Sequence, residues 1–86
     1  MKQIESLRKQ LDKLDLQISN LLIARLKLST KIIKRKVSLG LPVTDRKRER
    51  YVFNLVTKKR TQKEKKFLKE IYKTIFKVRR SLFVPF

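Results

Sequence analysis

The first third of the chain carries a regular apolar repeat that limits what the protein can fold into. Its members are spaced alternately by three and four residues, and we call them the heptad seam: Ile4, Leu7, Leu11, Leu14, Ile18, Leu21, Leu28 and Ile32. This spacing is typical of a long helix that packs along partner helices. We therefore predict one helix over about residues 4–37, roughly 50 Å long, which exceeds what a globular domain of this size can enclose.

One position of the heptad seam holds a charged residue. Arg25 falls where the repeat requires an apolar side chain, within the run LLIARL. A buried guanidinium costs on the order of several kcal/mol unless an anion meets it. Lys36 follows after about three helical turns and returns to nearly the same face. The two cations predict a pocket for an anion, although a polar seam residue can also serve only to fix helix register.

Composition excludes several classes of chemistry. The 86 residues include no Cys and no His, which removes thiol nucleophiles, thiolate metal sites and the commonest general base. One Gly and two Pro are few enough for an all-helical chain. The run MKQIESLRKQ has no signal-peptide core, and no apolar run approaches the ~20 residues of a membrane span. We therefore expect a cytoplasmic protein with no membrane partner, no metal and no cofactor.

The formal net charge of +18 is spread along the chain. Residues 1–37 carry +7, residues 38–60 carry +5 and residues 61–86 carry +6. A nucleic-acid footprint should gather its cations on one face. The even spread therefore argues against a nucleic-acid partner, while the positive field would still attract small anions.

Two shorter helices follow a connection at residues 38–44. Gly40 is a candidate helix cap or turn residue, and Pro42 blocks continuation of the first helix. Asp45 or Thr44 then caps a second helix at about residues 46–59. The run TQKE at residues 61–64 is a capping box, so a third helix runs from about residue 62 to 82. The prediction is one all-α domain over residues 1–86, with apolar stripes of the second and third helices in its core.

The sequence resembles the all-α chorismate mutases of the short, intertwined type. The resemblance rests on LRKQLDKLDLQISNLLIARLKLSTKIIKRK followed by LGLPVTDRKRERYVFNLV, and it covers roughly residues 4–76. Its distinctive elements are the LR…D..D..I..LL..R opening, the lysine before a GLPV-like loop and the D..RE start of the second helix. It implies an intertwined homodimer of three-helix protomers with shared active sites. It also implies that the protein rearranges chorismate to prephenate in aromatic amino-acid biosynthesis.

The resemblance gives roles to three cations of the first helix. Arg8 matches the arginine that reaches into the partner's active site. Arg25 and Lys36 match the cations that bind the substrate carboxylates, and Lys36 also matches the donor to the ether oxygen. Without the resemblance, Arg8 would be a surface partner of Asp12 one turn away, and Lys36 a solvated lysine near a helix end.

The resemblance also gives roles to a cluster at the start of the second helix. Glu49 matches the acceptor for the ring hydroxyl, Arg48 lies near the carboxylate end, and Asp45 belongs to the same cluster. Catalysis is thus predicted to depend on Lys36, Arg25 and Glu49. The simpler interpretation makes Asp45 only an N-cap, and Arg48 and Glu49 only surface residues near the helix dipole.

The third helix departs from the family pattern. Alignment on its apolar face places Arg79 where the family usually has Ser, and Phe83 where it has Gln or Glu. Both count among the predicted substrate-binding positions, but Phe83 cannot donate the hydrogen bond to the ether oxygen. We expect Arg79 or Arg80 to replace that donor, or a local shift to bring in Ser81. As a simpler account, Arg79 is part of an exposed basic face.

The predicted reaction suits this composition. Because the rearrangement is intramolecular, it needs a dianion held in its reactive conformer and positive charge aimed at the ether oxygen. Arginine and lysine can supply both. Two alternatives stay open. One is an isochorismate-pyruvate lyase on the same fold, and the other is a non-catalytic basic helical module that binds nucleic acid or regulates a partner.

Overall fold

The computed structural model describes residues 1–82, which form three α-helices joined by short connections. Helix α1 spans Lys2–Ser38, α2 spans Arg46–Thr57 and α3 spans Gln62–Leu82. The predicted all-α fold with a long first helix is confirmed. The helices fall into two compact units, Met1–Leu41 and a second unit that begins at Pro42. None of these helices, within residues 1–82, is long and apolar enough to cross a membrane. The predicted position Phe83 lies outside the described residues.

The heptad seam of α1 is exposed in the single chain. The helix has 37 residues and is roughly 55 Å long. The eight apolar seam residues are between 45% and 69% exposed, and Ile33 is the buried residue of this helix. A contiguous apolar stripe of this length is unusual on the surface of a monomeric protein. The heptad seam is therefore a long apolar surface that the described residues of this chain leave exposed.

The C-terminus of α1 ends in a Schellman motif. The N–H of Leu41 donates to the carbonyl of Lys36 at 2.8 Å, and the N–H of Gly40 donates to the carbonyl of Val37 at 3.1 Å. Gly40 has φ +69°, the left-handed conformation that this motif requires. The motif satisfies carbonyl groups of the last turn, so Lys36 lies in a well-terminated helix.

Helix α2 begins at a side-chain cap and ends abruptly. The Asp45 carboxylate accepts a hydrogen bond from the Arg48 N–H at 3.0 Å, which satisfies a free donor of the first turn. The helix ends at Thr57, because Lys58 is extended and Lys59 has the left-handed φ of 58°. This end lies two residues before the one expected from the sequence.

Helix α3 begins with the predicted capping box. The Thr61 N–H donates to the Glu64 carboxylate at 3.0 Å, and the Glu64 N–H donates to the Thr61 hydroxyl at 3.2 Å. These hydrogen bonds, chiefly the one from the Thr61 backbone, lower the pKa of Glu64 below its ordinary value. The capping box is thus confirmed in both directions.

A small aromatic core joins α2 and α3. Val52 and Phe76 are buried. The Phe53 and Phe76 rings meet edge to face with their centroids 5.2 Å apart, and Tyr72 lies 6.0 Å from Phe76. Such T-shaped pairs are a favoured aromatic geometry. This core fixes the last turns of α3 against α2.

The apolar stripes of α2 and α3 are only partly buried, which corrects the expectation that they form the core throughout. Four apolar residues of these stripes are exposed: Tyr51, Leu55, Phe67 and Ile71. Two helices that pack on each other share one line of contact, so residues at the edges of each stripe stay in water.

The Glu64 cap should stabilise α3 in a pH-dependent way. Since the pKa of Glu64 is lowered in the folded chain, its stabilisation is present above the ordinary pKa of 4.5 and is lost as the pH falls through the folded pKa. We expect Glu64→Ala to lower the Tm at pH 7, and the Tm difference from wild type to shrink as the pH falls below 4.5. Circular dichroism measures both. Glu70→Ala, which removes the exposed partner of Lys73, is the control, and equal Tm losses in the two variants would contradict this role of the cap.

The left-handed residue at the end of α1 should resist substitution. An added Cβ at Gly40 meets no atom within 4 Å, so the penalty comes from the backbone conformation alone. We expect Gly40→Ala to lower the free energy of unfolding by about 1 kcal/mol, measured by urea denaturation. Gly40→Asn should lose less, because asparagine tolerates this conformation better. Unchanged stability in the alanine variant would contradict the expectation.

Candidate active site

Two predicted cations lie on one side of α1, together with its buried residue. Arg25, Ser29, Ile33 and Lys36 fall within about 80° of arc around the helix. Ile33 is buried, and the other three are partly buried. The spacing of four, four and three residues is what places them together. This side of α1 thus presents two half-buried cations to which an anion can bind.

The third predicted cation of α1 lies far from the other two. Arg25 and Lys36 are roughly 16 Å apart along the helix axis, a distance that two long side chains can close around a ligand. Arg8 is exposed and lies roughly 26 Å before Arg25. A small dicarboxylate cannot bridge that separation. Arg8 and Arg25 of one chain therefore do not contact the same small ligand.

The start of α2 holds the predicted second cluster. Asp45 is exposed and makes the N-cap already described. Arg48 is exposed, and its guanidinium carbon lies 4.9 Å from the centroid of the Tyr51 ring. This cation–π contact orients the Arg48 side chain along α2. Asp45 thus has a structural role that is compatible with a functional one.

Glu49 is the buried acid of this cluster. Its side chain is 11% exposed, and its two carboxylate oxygens meet two arginines. Arg80 of α3 donates to Oε2 at 2.7 Å, and Arg46 donates to Oε1 at 3.3 Å. The short bond comes from a partly buried arginine, and the longer one comes from an exposed arginine. Glu49 is therefore held between the first turn of α2 and the last turns of α3.

The remaining candidates lie at the end of α3, where their side chains contact different groups. Both terminal nitrogens of Arg79 lie 3.4 Å from the Val43 carbonyl, within hydrogen-bond range. The Ser81 hydroxyl donates to the Val78 carbonyl of its own helix at 2.9 Å. Arg80 contacts the Asp45/Arg48/Glu49 cluster through its ion pair with Glu49.

The ion pair between Glu49 and Arg80 was not predicted from the sequence, and Arg46 was not among the candidates. Arg46 carried a sequence signal, because a cation three residues before an acid is a standard helical pair. Arg80 carried a weaker sequence signal. It lies one turn after Phe76, so a guanidinium extends the buried side of α3, as Arg25 interrupts the heptad seam.

The second unit also has an open groove on its surface. It is lined by Arg50, Phe53, Asn54, Lys69 and Lys73 and has a volume of about 270 Å³. Its lining contains none of the predicted site residues. In residues 1–82, no group of three or more Asp or Glu side chains is placed to hold a metal ion. The groove is a basic surface feature, separate from the cluster around Glu49.

Each of the two units presents its own charged groups. Arg25 and Lys36 lie on one side of α1 in the first unit, and Arg80 and Arg46 hold Glu49 in the second unit. Arginine and lysine bind carboxylates and stabilise developing negative charge, while a carboxylate accepts a hydrogen bond from a hydroxyl. The cations of the first unit suit a carboxylate ligand, and the acceptor of the second unit suits a ligand with a hydroxyl group.

Comparison with known proteins identifies the family. The family model described as chorismate mutase type II matches residues 7–82, most of the chain. Neither the curated proteins nor the solved structures gave a match. The match includes Arg8, Arg25, Lys36 and the whole cluster at the start of α2. On this match and on its three-helix fold, the chain belongs to the chorismate mutase type II family, an enzyme family of intramolecular isomerases.

Proposed function

We propose that this protein rearranges chorismate to prephenate as a homodimer, with Arg25, Lys36 and Glu49 as its catalytic residues. The observation that carries the proposal is the family match over residues 7–82. The half-buried positions of Arg25 and Lys36 on one side of α1 support it, because two cations on one side of a helix can bind the two carboxylates of one dianion.

The reaction defines what these residues must do. The ether C–O bond of chorismate breaks while a new C–C bond forms within the same molecule, so no proton or electron leaves the substrate. The enzyme therefore has two tasks. It holds the flexible dianion in the conformer that can react, and it stabilises negative charge on the ether oxygen as the C–O bond lengthens.

The proposed residues perform these two tasks. The Arg25 guanidinium is planar and can bind a carboxylate through two parallel hydrogen bonds. Lys36 binds a carboxylate and brings a compact positive charge to the ether oxygen. Glu49 accepts a hydrogen bond from the ring hydroxyl, and Arg48 and Asp45 complete the binding residues of α2. The roles of Arg79 and Phe83 in substrate binding stay predictions.

Two features of α1 support the proposed homodimer. The heptad seam is exposed along the helix, and a second copy of the same seam is an apolar partner of matching length. In addition, Arg8 lies roughly 26 Å from Arg25 of its own chain. We infer that Arg8 serves the active site of the partner protomer. A cytoplasmic location is part of this proposal, and cell fractionation tests it.

Turnover of chorismate tests the reaction itself. We expect the purified protein to form prephenate, and Arg25→Ala and Lys36→Ala each to lower kcat/KM by roughly a hundredfold to a thousandfold, because each removes positive charge from the transition state. The matched controls are Arg35→Ala and Lys34→Ala, which remove exposed cations of the same helix. Wild-type activity in Arg25→Ala and Lys36→Ala would remove the assignment, and release of pyruvate from isochorismate would indicate the lyase instead.

Mixing of inactive variants tests the shared active site. Arg8→Ala and Arg25→Ala homodimers should both be impaired. After unfolding and refolding together, half of the dimers are hybrids, and each hybrid has one intact site, so about a quarter of wild-type activity should return. A mixture of Arg25→Ala and Lys36→Ala should restore nothing, because both residues serve the site of their own protomer. Equal recovery in the two mixtures, or none in the first, would contradict the shared site.

A further inference from the structure

Glu49 forms ion pairs with two arginines, which differ in their exposure and in their distance from the carboxylate. The Arg80 side chain is 27% exposed and lies 2.7 Å from Oε2, whereas the Arg46 side chain is 67% exposed and lies 3.3 Å from Oε1. A short charge-assisted bond in a partly buried place is strong and directional. An exposed pair within one helix contributes little, because water screens it and both side chains lose freedom. Arg80 is therefore the partner that holds the Glu49 carboxylate.

The position of Arg80 is itself fixed by the core. Arg80 lies one turn after Phe76, which is buried and packs edge to face on Phe53 of α2. The guanidinium thus reaches Glu49 from a helix that is already packed against α2. Arg46, by contrast, belongs to the same turn as Glu49 and cannot fix that turn relative to α3.

A partly buried ion pair of this kind calls for an explanation other than its effect on stability. Replacing such a pair with apolar residues is often neutral or stabilising, since removing both charges from water is costly. Each carboxylate oxygen has two lone pairs, so Glu49 can accept further hydrogen bonds while Arg80 holds it. The pair therefore leaves a carboxylate with a defined direction and spare acceptor capacity.

We propose that Arg80 is a positioning residue for catalysis, which holds the Glu49 carboxylate in the orientation that accepts a hydrogen bond from the ring hydroxyl of the substrate. This inference rests on the proposed function. It assigns to the end of α3 a role in selecting substrates that carry the hydroxyl, through Glu49 and without contact between Arg80 and the reacting atoms.

Steady-state kinetics of matched variants test the proposal. We expect Arg80→Gln to lower kcat/KM for chorismate by roughly thirtyfold to a hundredfold, because a misplaced acceptor no longer meets the hydroxyl. Arg46→Gln removes the same charge from the same carboxylate and should lower kcat/KM by no more than about fivefold. Arg80→Lys keeps the charge and should recover part of the loss. The Tm of each variant, measured in parallel, reports structural damage separately.

Two further measurements separate positioning from a structural or direct role. In a Glu49→Gln background, Arg80→Gln should add less than about threefold, because the two residues act as one unit. With a chorismate analogue that lacks the ring hydroxyl, the kcat/KM values of wild type and Arg80→Gln should differ by less than about threefold, because the analogue makes no hydrogen bond to Glu49.

The outcomes distinguish this inference from the proposed function. If the wild type does not convert chorismate, the proposed function and this inference both fail. If the wild type is active, the inference alone is overturned by equal losses in Arg80→Gln and Arg46→Gln. It is also overturned by an undiminished Arg80→Gln effect in the Glu49→Gln background or with the analogue that lacks the hydroxyl.

Discussion

The rest of this protein depends on the length of α1. A continuous helix sets the distance between any two of its residues at about 1.5 Å per residue. A chain of 86 residues cannot enclose a helix of 37, so the heptad seam stays exposed. The same geometry keeps Arg8 away from Arg25. In the proposed dimer, the second chain covers the heptad seam of the first. It also brings its own Arg8 to the active site of the first chain.

The cationic residues that give the chain its large positive charge fall into two groups. Most lysines of α1 and α3 are exposed and remain hydrated. Several cations lie in half-buried positions on the sides of helices that also bury Ile33 or Phe76, and Arg25, Lys36 and Arg80 are three of them. Partial burial removes part of their water, so an anion that meets them is bound more strongly than it would be at an exposed cation. For Arg80 that anion is Glu49. For Arg25 and Lys36 we propose that the carboxylates of the substrate serve.

Local features of the fold followed from local sequence. The capping box at Thr61 and Glu64 and the left-handed Gly40 involve residues no more than five apart, so their geometry is set by neighbours in the chain. The end of α2 was harder to predict from the sequence. Its termination depends on Lys58 and Lys59, and lysine has no marked preference for the extended and left-handed conformations that they adopt.

By itself, the sequence determined the three helices, their caps and the phase that places Arg25 and Lys36 on one side of α1, because each depends on helical periodicity and on residues a few positions apart. Only the tertiary structure decided which apolar residues are buried and which cation meets Glu49. Arg80 lies 31 residues from Glu49 in the chain. The two meet because Phe76 packs against Phe53 and sets where the last turns of α3 lie along α2, and no pattern within a single helix encodes that crossing.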